Sequence, residues 1–575
     1  MAVFTGLLMT TADWIILTGT LVTLAGYGFW RGRGSTSIKE FLLADRSLGW
    51  MTVALSIMAT QASAITFTST PGQAFVDGMR FLQFYFGLPL AMVILSITAV
   101  PRFHRLGVFS AYEYLEHRFD ARMRITGTLL FLLSRGLAAG MTIYAPSLVL
   151  SVMLGLDIRV TSGIIGGIII LVAATGGVKA INHTHVVQLL VIMGGMLAAA
   201  WMVVRLLPPE VGIVDALTVA GAVGRLNTVD LSFDLTNRYN LWSGLIGGMF
   251  VALAYFGTDQ SQVQRYLTGR SVTQSRLALL FNGIAKIPMQ FFMLLLGVMV
   301  YVFFVFAEPP MFFHPAAAAS ARSGEAGAAY RALEQRHAST AASRREAAHE
   351  LVEASHGGPP ASRTNARAHL MAAQDSINAI RTNAATLIRE HVPGSDGSDT
   401  NYIFLHFVLT YLPAGLVGLV FACIFAASLS SSSGELSALA TISIIDLYRR
   451  FFRKEMPESH YLKASRIFMA LWGIYGIIFA QYASSLGSLI EAVNILGSLF
   501  YGTMLGIFLL AFYAGRVGGS GTFWGAVAGE AVVIACFLWT DIAWLWYNVI
   551  GCAVVVGVAF LVTLAASRRH RERTV

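Results

Sequence analysis

Long apolar stretches separated by short polar clusters recur along the whole chain. The stretches run 18 to 30 residues and do not alternate apolar with polar. A helix needs about 20 apolar residues to cross the hydrocarbon core of a bilayer, whereas a membrane strand needs about 10 and alternates. The pattern therefore predicts an all-α membrane protein of about thirteen spans, at 12–30, 50–76, 80–100, 124–153, 160–177, 186–206, 241–262, 276–306, 403–446, 466–484, 487–512, 521–540 and 543–567. One interval departs from it. Residues 307–402 shift to Ala, Arg, Glu, His and Ser and read as two helices, Ala316 to Glu353 and Ser362 to His391, split by Gly357-Gly358-Pro359-Pro360. The plain expectation for this insertion is a solvated helical hairpin without chemistry of its own, with a binding or lid role as the alternative.

Composition agrees with the pattern. Of 575 residues, 56% are hydrophobic and only 12% charged, about half the charged fraction of a soluble domain. The net charge of +9 does not point to nucleic acid, because the basic residues gather in alternate short loops. One set holds Arg31, Arg33, Lys39 and Arg46, then Arg102 to Arg124, then Arg265, Arg270 and Arg276, then Arg449 to Arg466, and finally Arg568 to Arg573. Loops near 77–79, 154–159 and 541–543 hold few. Basic loops face the cytoplasm, so the N-terminus is expected outside and the C-terminus inside, in a plasma or inner membrane. That requires an odd number of spans. Cys423, Cys536 and Cys552 fall in apolar segments and read as packing residues. Met1 to Trp30 has no basic leader, so no cleaved signal is expected.

A mere anchor needs no polar residues at depth, and this chain clusters them. The second span contains Ala59-Thr60-Gln61-Ala62-Ser63-Ala64-Ile65-Thr66 and continues to Pro71-Gly72. Small and hydroxyl residues followed by Pro-Gly suit a helix that breaks in mid-membrane, where freed carbonyls must line a cavity or hold an ion. The ninth span contains Ala427 and then Ser430 to Ser433. Positions 427, 430 and 431 share one helix face, and their oxygens suit a hard monovalent cation; close helix packing is the competing explanation. Arg135, Lys286, Glu435 and Glu530 are ionisable residues within or near spans, the kind that pair or function. No catalytic motif of a hydrolase, zinc protease or nucleotidase is present, and His183-Thr184-His185 makes a poor transition-metal site. No enzymatic activity is expected.

These polar stretches and their loops resemble the sodium:solute symporter family. The resemblance rests on five segments: Glu40 to Trp50 (EFLLADRSLGW), Arg105 to Phe119 (RLGVFSAYEYLEHRF), Thr175 to Ala180 (TGGVKA), Thr258 to Leu267 (TDQSQVQRYL), and Glu435 to Tyr448. It covers nearly the whole chain except 307–402. It implies a leucine-transporter-type fold of two inverted five-helix repeats, spans two to six and seven to eleven, with one helix added before and two after. Spans two and seven would be the broken helices. The chain then divides into a first helix and loop (1–49), the first repeat with two helices of the second (50–306), the insertion (307–402), the rest of the second repeat (403–512), and two accessory helices with a basic tail (513–575).

Residue by residue, the resemblance implies one sodium ion held by the carbonyls of Ala59, Ala62 and Ala427 and the hydroxyls of Ser430 and Ser431. Many members carry Thr-Asp where this chain has Thr184-His185. The implied second sodium site is therefore expected to be absent, with His185 as a candidate coupling residue. The positions matching the family's solute pocket are Gln61, Thr66, Tyr85, Tyr255 and Asn494. The sugar-transporting relatives have His and Glu where this chain has Thr66 and Tyr85. The expected solute is small and polar: a sugar, polyol or other neutral compound is favoured, with a zwitterion or anion as alternatives. An uncoupled carrier or a membrane sensor on the same frame is the competing function.

Overall fold

The computed structural model describes residues 9–32, 46–106, 110–452, 455–483 and 487–574. Glu40 to Asp45 of the first motif and Gly107 to Phe109 of the second lie outside these residues, and nothing is described of the side chains at 175–183.

Helix α1 (Thr11–Gly32) is followed by α2 (Trp50–Gln61) and α3 (Ala64–Asp77), the two halves of a broken span. A 3-10 stretch (Gly78–Tyr85) leads into α4 (Leu88–Ile97), the short α5 (Ala99–Leu106) and α6 (Ala111–Arg118), and the long α7 (Ala121–Leu154) and α8 (Ile158–Arg205). After α9 (Ile213–Ala222), a π-helical turn at Ser243–Gly247 enters α10 (Gly248–Gly257), which breaks before α11 (Gln260–Tyr266). Helix α12 (Val272–Phe306) precedes the insertion, which forms α13 (Pro315–Ser323), α14 (Gly327–Ser355) and α15 (Pro360–His391). Then come α16 (Thr400–Tyr411), α17 (Leu416–Ile442, extended by a π-helical stretch to Phe452), α18 (Glu458–Ala480), α19 (Leu489–Tyr513), α20 (Gly519–Trp539) and α21 (Leu545–Thr574). Among the described residues, nine helical stretches are long and apolar enough to cross a membrane. Ile467, Leu471, Ile474 and Ile478 on one face of α18 are exposed, as expected where lipid is the solvent.

Three expectations need correction. The ninth span, 403–446, is two helices, because Pro413 cannot continue the ladder and Gly415 takes a φ of 90°. Asp13 of α1 then accepts from the amides of Gly415 and Gly418 at 2.7 and 2.9 Å and so caps the new helix start. Helical bonding is continuous over Ile158–Arg205 where two spans and a loop were expected; the intervening segment contains glycines but no proline. Arg265, placed in a basic loop by its sequence position, is buried.

The insertion is also more than a solvated hairpin. Its first helix is interrupted at Gly324, and α14 packs along α15. Ala347, Ala348, Leu351 and Leu370 join the main hydrophobic core. Arg344 donates to the Phe304 carbonyl at 2.7 Å and to Gln374 at 3.0 Å, and Tyr301 of α12 donates to the same Gln374 at 2.6 Å. Gly72 permits the closest approach of the following segment, since a Cβ there would lie 2.0 Å from the Thr400 carbonyl.

Candidate functional site

Two broken helices and one intact one make the site. The first break falls at Ala62-Ser63, where Ala62 has φ −83° and ψ 66° and Ser63 is extended. The Thr66 hydroxyl donates back across the break to the Gln61 carbonyl at 3.1 Å, meeting part of the hydrogen-bonding demand that an interrupted helix creates. The second break falls at Thr258-Asp259. Asp259 is extended and caps α11 by accepting from the Ser261 amide at 2.8 Å.

The Asp259 carboxylate is 1% exposed and needs a counter-ion, which comes from Arg135 in the middle of α7. Arg135 also binds Glu435 of α17 at 3.1 Å and donates to Tyr501 of α19. Thr142 donates to the other Glu435 oxygen at 3.0 Å, and Tyr501 to Asp259 at 3.2 Å. One arginine thus joins the second break to three intact helices. Losing one member of such a buried network costs about 3–5 kcal/mol. The sequence flagged Arg135 and Glu435 as ionisable at depth. Their partners lie 124 and 300 residues away and leave no local signal.

A cavity of about 140 Å³ lies between the broken helices and is lined by Gln61, Thr66, Tyr85, Tyr255 and Asn494. Its wall also includes Ser431, Glu435 and Lys286. Gln61 donates to Asn282 of α12 at 2.8 Å, Gln262 donates to the Tyr255 hydroxyl at 2.8 Å, and Asn494 donates to its own helix at Ile490. Gln61 therefore carries an interhelical bond as well as facing the cavity. Lys286 is 2% exposed and sits over the Tyr85 ring, 5.5 Å from its centroid. Among the described residues no carboxylate lies within ion-pair distance of it. The sequence flags Lys286 as an ionisable residue near a span but does not place it in the pocket.

Beside the cavity, oxygens of α2 and α17 converge. The Ser430 hydroxyl meets the Ala59 carbonyl at 3.0 Å and the Ser431 hydroxyl meets the Ala427 carbonyl at 3.0 Å. Ala62, the last of the five expected ion ligands, marks the end of α2, with its amide bonded to the Met58 carbonyl. All five residues are buried. The donor set is oxygen only, as hard cations prefer. His185 completes this region from α8: its Nε2 lies 3.0 Å from the Ser430 carbonyl and its Nδ1 2.9 Å from the Ser56 hydroxyl. A carbonyl only accepts, so Nε2 carries the proton, and a neutral ring accepts from Ser56 through Nδ1.

At the far end of α17 from the insertion, the motifs meet one another. The Tyr112 hydroxyl binds the Thr258 carbonyl at 2.9 Å, the Ala111 amide binds Gln260 at 3.0 Å, and Ser110 donates to Asp446 at 2.9 Å. Arg124 pairs with Asp446, Glu113 and Glu116, and Arg450 pairs with Glu116. Leu48 bonds both Thr268 and Arg270 through its backbone. At the opposite end, Ser69 accepts from the Ile490 amide and Gln73 from Ser488, tying α3 to the start of α19.

The sodium:solute symporter family model matches residues 41–338 and 376–529. This chain belongs to that family. It is a multi-pass membrane transporter and not an enzyme. The sodium/iodide cotransporter of Homo sapiens is 34% identical over 303 residues, 52% of this chain and 46% of that protein. The chain thus matches about half the length of that relative. The sodium-coupled monocarboxylate transporter 1 of Homo sapiens is 26% identical over 90% of this chain and 72% of its own. The sodium/sialic acid symporter of Aliivibrio fischeri is 25% identical over 96% and 92%. A solved structure of a Na+-coupled sialic acid symporter in a substrate-bound outward-open state matches with a TM-score of 0.74 at 21% identity, covering 97% of this chain and 98% of that one. The fold is therefore shared along nearly the full chain.

Proposed function

We propose that this protein imports a small organic anion by sodium-coupled symport. The observation that carries the choice of an anion is Lys286. Arg135 is matched by Glu435 and Asp259, whereas the Lys286 ammonium faces the same cavity with no carboxylate of the described residues within ion-pair distance. A buried charge without a partner is costly, and an anionic solute would supply the missing partner. Relatives named for monocarboxylates, iodide and sialic acid support an anion over the neutral sugar or polyol expected from the sequence.

Sodium is bound by the carbonyls of Ala59, Ala62 and Ala427 and the hydroxyls of Ser430 and Ser431. Each hydroxyl presents a lone pair to the ion once it turns from the carbonyl it now donates to. Ser431 also lines the solute cavity, so one residue touches both ligands' surroundings. Gln61, Thr66, Asn494 and the tyrosines Tyr85 and Tyr255 hold the polar and apolar parts of the solute. His185 fills the place of a second sodium ligand, giving one sodium per cycle. Thirteen spans, with the N-terminus outside and the C-terminus in the cytoplasm, carry two inverted repeats that rock about the midplane site. The Asp446–Arg124–Glu116 cluster and the α3–α19 bonds act as the inner and outer closures.

Competition for sodium-driven uptake tests this reading. Lactate, benzoate and iodide should inhibit, whereas glucose and mannitol at equal concentration should not. Inhibition by the neutral compounds alone would return the cavity to a neutral solute.

A further inference from the structure

A second, larger cavity lies apart from the solute site. It has a volume of about 570 Å³ and opens between the insertion and the core. On α3 the first cavity is lined by Ile65 and Thr66 and the second by Phe75 and Val76. The bonds from Ser69 and Gln73 to α19 fall between them.

The charges of this cavity are unevenly matched. Arg381 pairs with Asp399 at 2.9 Å, and Asp396 is held by the Gly487 and Ser398 amides. Asp375 is exposed at the rim. Among the described residues, Arg344, 3% exposed, bonds the neutral Gln374 and the Phe304 carbonyl, and its Nε has no hydrogen-bond partner. Arg225 lies over the Tyr301 ring at 4.9 Å and donates to the Val76 carbonyl, and its Nε is also unsatisfied. Neither guanidinium has a carboxylate within ion-pair distance among the described residues. His337, pressed down to about 4 by burial and by Arg381 and Arg344, is neutral at ordinary pH. The remaining wall includes Phe75, Phe313 and Met371. Arg225 also senses the charge of Asp77, but two guanidinium groups without a directly bonded carboxylate, beside an apolar wall, suit a ligand with a carboxylate at one end and hydrocarbon at the other.

We propose that this cavity is a second binding site, for a small organic carboxylate held by Arg344 and Arg225. Arg344 and Met371 lie in 339–375, the stretch that the family match skips, whereas Arg225 and Phe75 lie within the match, so the site forms where the insertion meets the common core. The ligand class is the one proposed for transport, but the site rests on none of the same residues and has no sodium ligands.

The test is equilibrium binding of radiolabelled benzoate to the full-length protein in nanodiscs, with choline in place of sodium. Saturable binding is expected up to about 10 mM. It should persist in Lys286→Gln and weaken by about tenfold or more in Arg344→Gln and in Arg225→Gln, each losing a charge-assisted hydrogen bond. Arg344→Gln could loosen the docked insertion, so Arg225→Gln, with thermal melting of both variants, separates binding from folding. Absence of saturable sodium-free binding would overturn the proposal. So would binding that Lys286→Gln abolishes while both arginine variants retain it. Full displacement of benzoate by equimolar chloride would overturn the assignment to an organic carboxylate. If the transported solute proves neutral while this binding stands, the transport reading fails and the second site survives.

Discussion

Replacing Lys286 by Gln should separate stability from function. The ammonium is buried against Tyr85, with no carboxylate partner among the described residues. Its removal relieves a desolvation cost and loses a cation–π contact worth about 0.5–2 kcal/mol. These terms oppose each other, so the apparent melting temperature should hold or rise. The anionic solute, by contrast, loses a charge-assisted hydrogen bond worth about 1.5–3 kcal/mol. At about 1.4 kcal/mol per tenfold, its half-saturating concentration should rise by about 10- to 100-fold. Uptake of labelled monocarboxylate into proteoliposomes at fixed saturating sodium measures the second effect, and thermal melting of the purified variant measures the first. A variant that melts lower yet transports with unchanged half-saturation would show that Lys286 is a packing residue and refute the reasoning.

Ser430→Ala and Ser431→Ala each delete one oxygen from the ion site, and each should raise the sodium needed for half-maximal uptake by about three- to tenfold; unchanged sodium dependence in both would place the ion elsewhere. His185→Asp puts a carboxylate beside Ser56 and the Ser430 carbonyl and should turn the sodium dependence of uptake from hyperbolic to sigmoidal, whereas an unchanged curve would count against a second-ion position there. Glu116 is held down to about 2 by its hydrogen bonds to Arg450 and Arg124. Its folded-state pKa lies below the usual 4.5, so its contribution is complete above that value and is lost as pH falls toward about 2. Wild-type melting should therefore drop across that acid window more than melting of Glu116→Gln, and the difference between the two should stay flat at higher pH.

Much of the frame was legible because it is local. Twenty-residue apolar runs, the Pro-Gly after a hydroxyl-rich segment, and the one-face spacing of Ala427, Ser430 and Ser431 are signals of neighbouring residues. The resemblance supplied Gln61, Thr66, Tyr85, Tyr255 and Asn494 as pocket positions, and all five line one cavity. What escaped were relations between distant parts. Nothing near Lys286 says that it faces the same space as Tyr85, and nothing near Arg135 names Asp259. Docking of α14 and α15 depends on Arg344 reaching the Phe304 carbonyl, which a hairpin's own sequence cannot announce. The split of 403–446 was open to reading, since Pro413 and Gly415 stand in the sequence, but the apolar run on both sides masked it.

Coupling is tested most directly by accumulation. Purified protein in proteoliposomes, given an inward sodium gradient, should concentrate a labelled monocarboxylate above its external level, and collapsing the gradient with a sodium ionophore should release it. Equal, non-accumulating uptake in sodium and in potassium would contradict sodium-coupled anion symport.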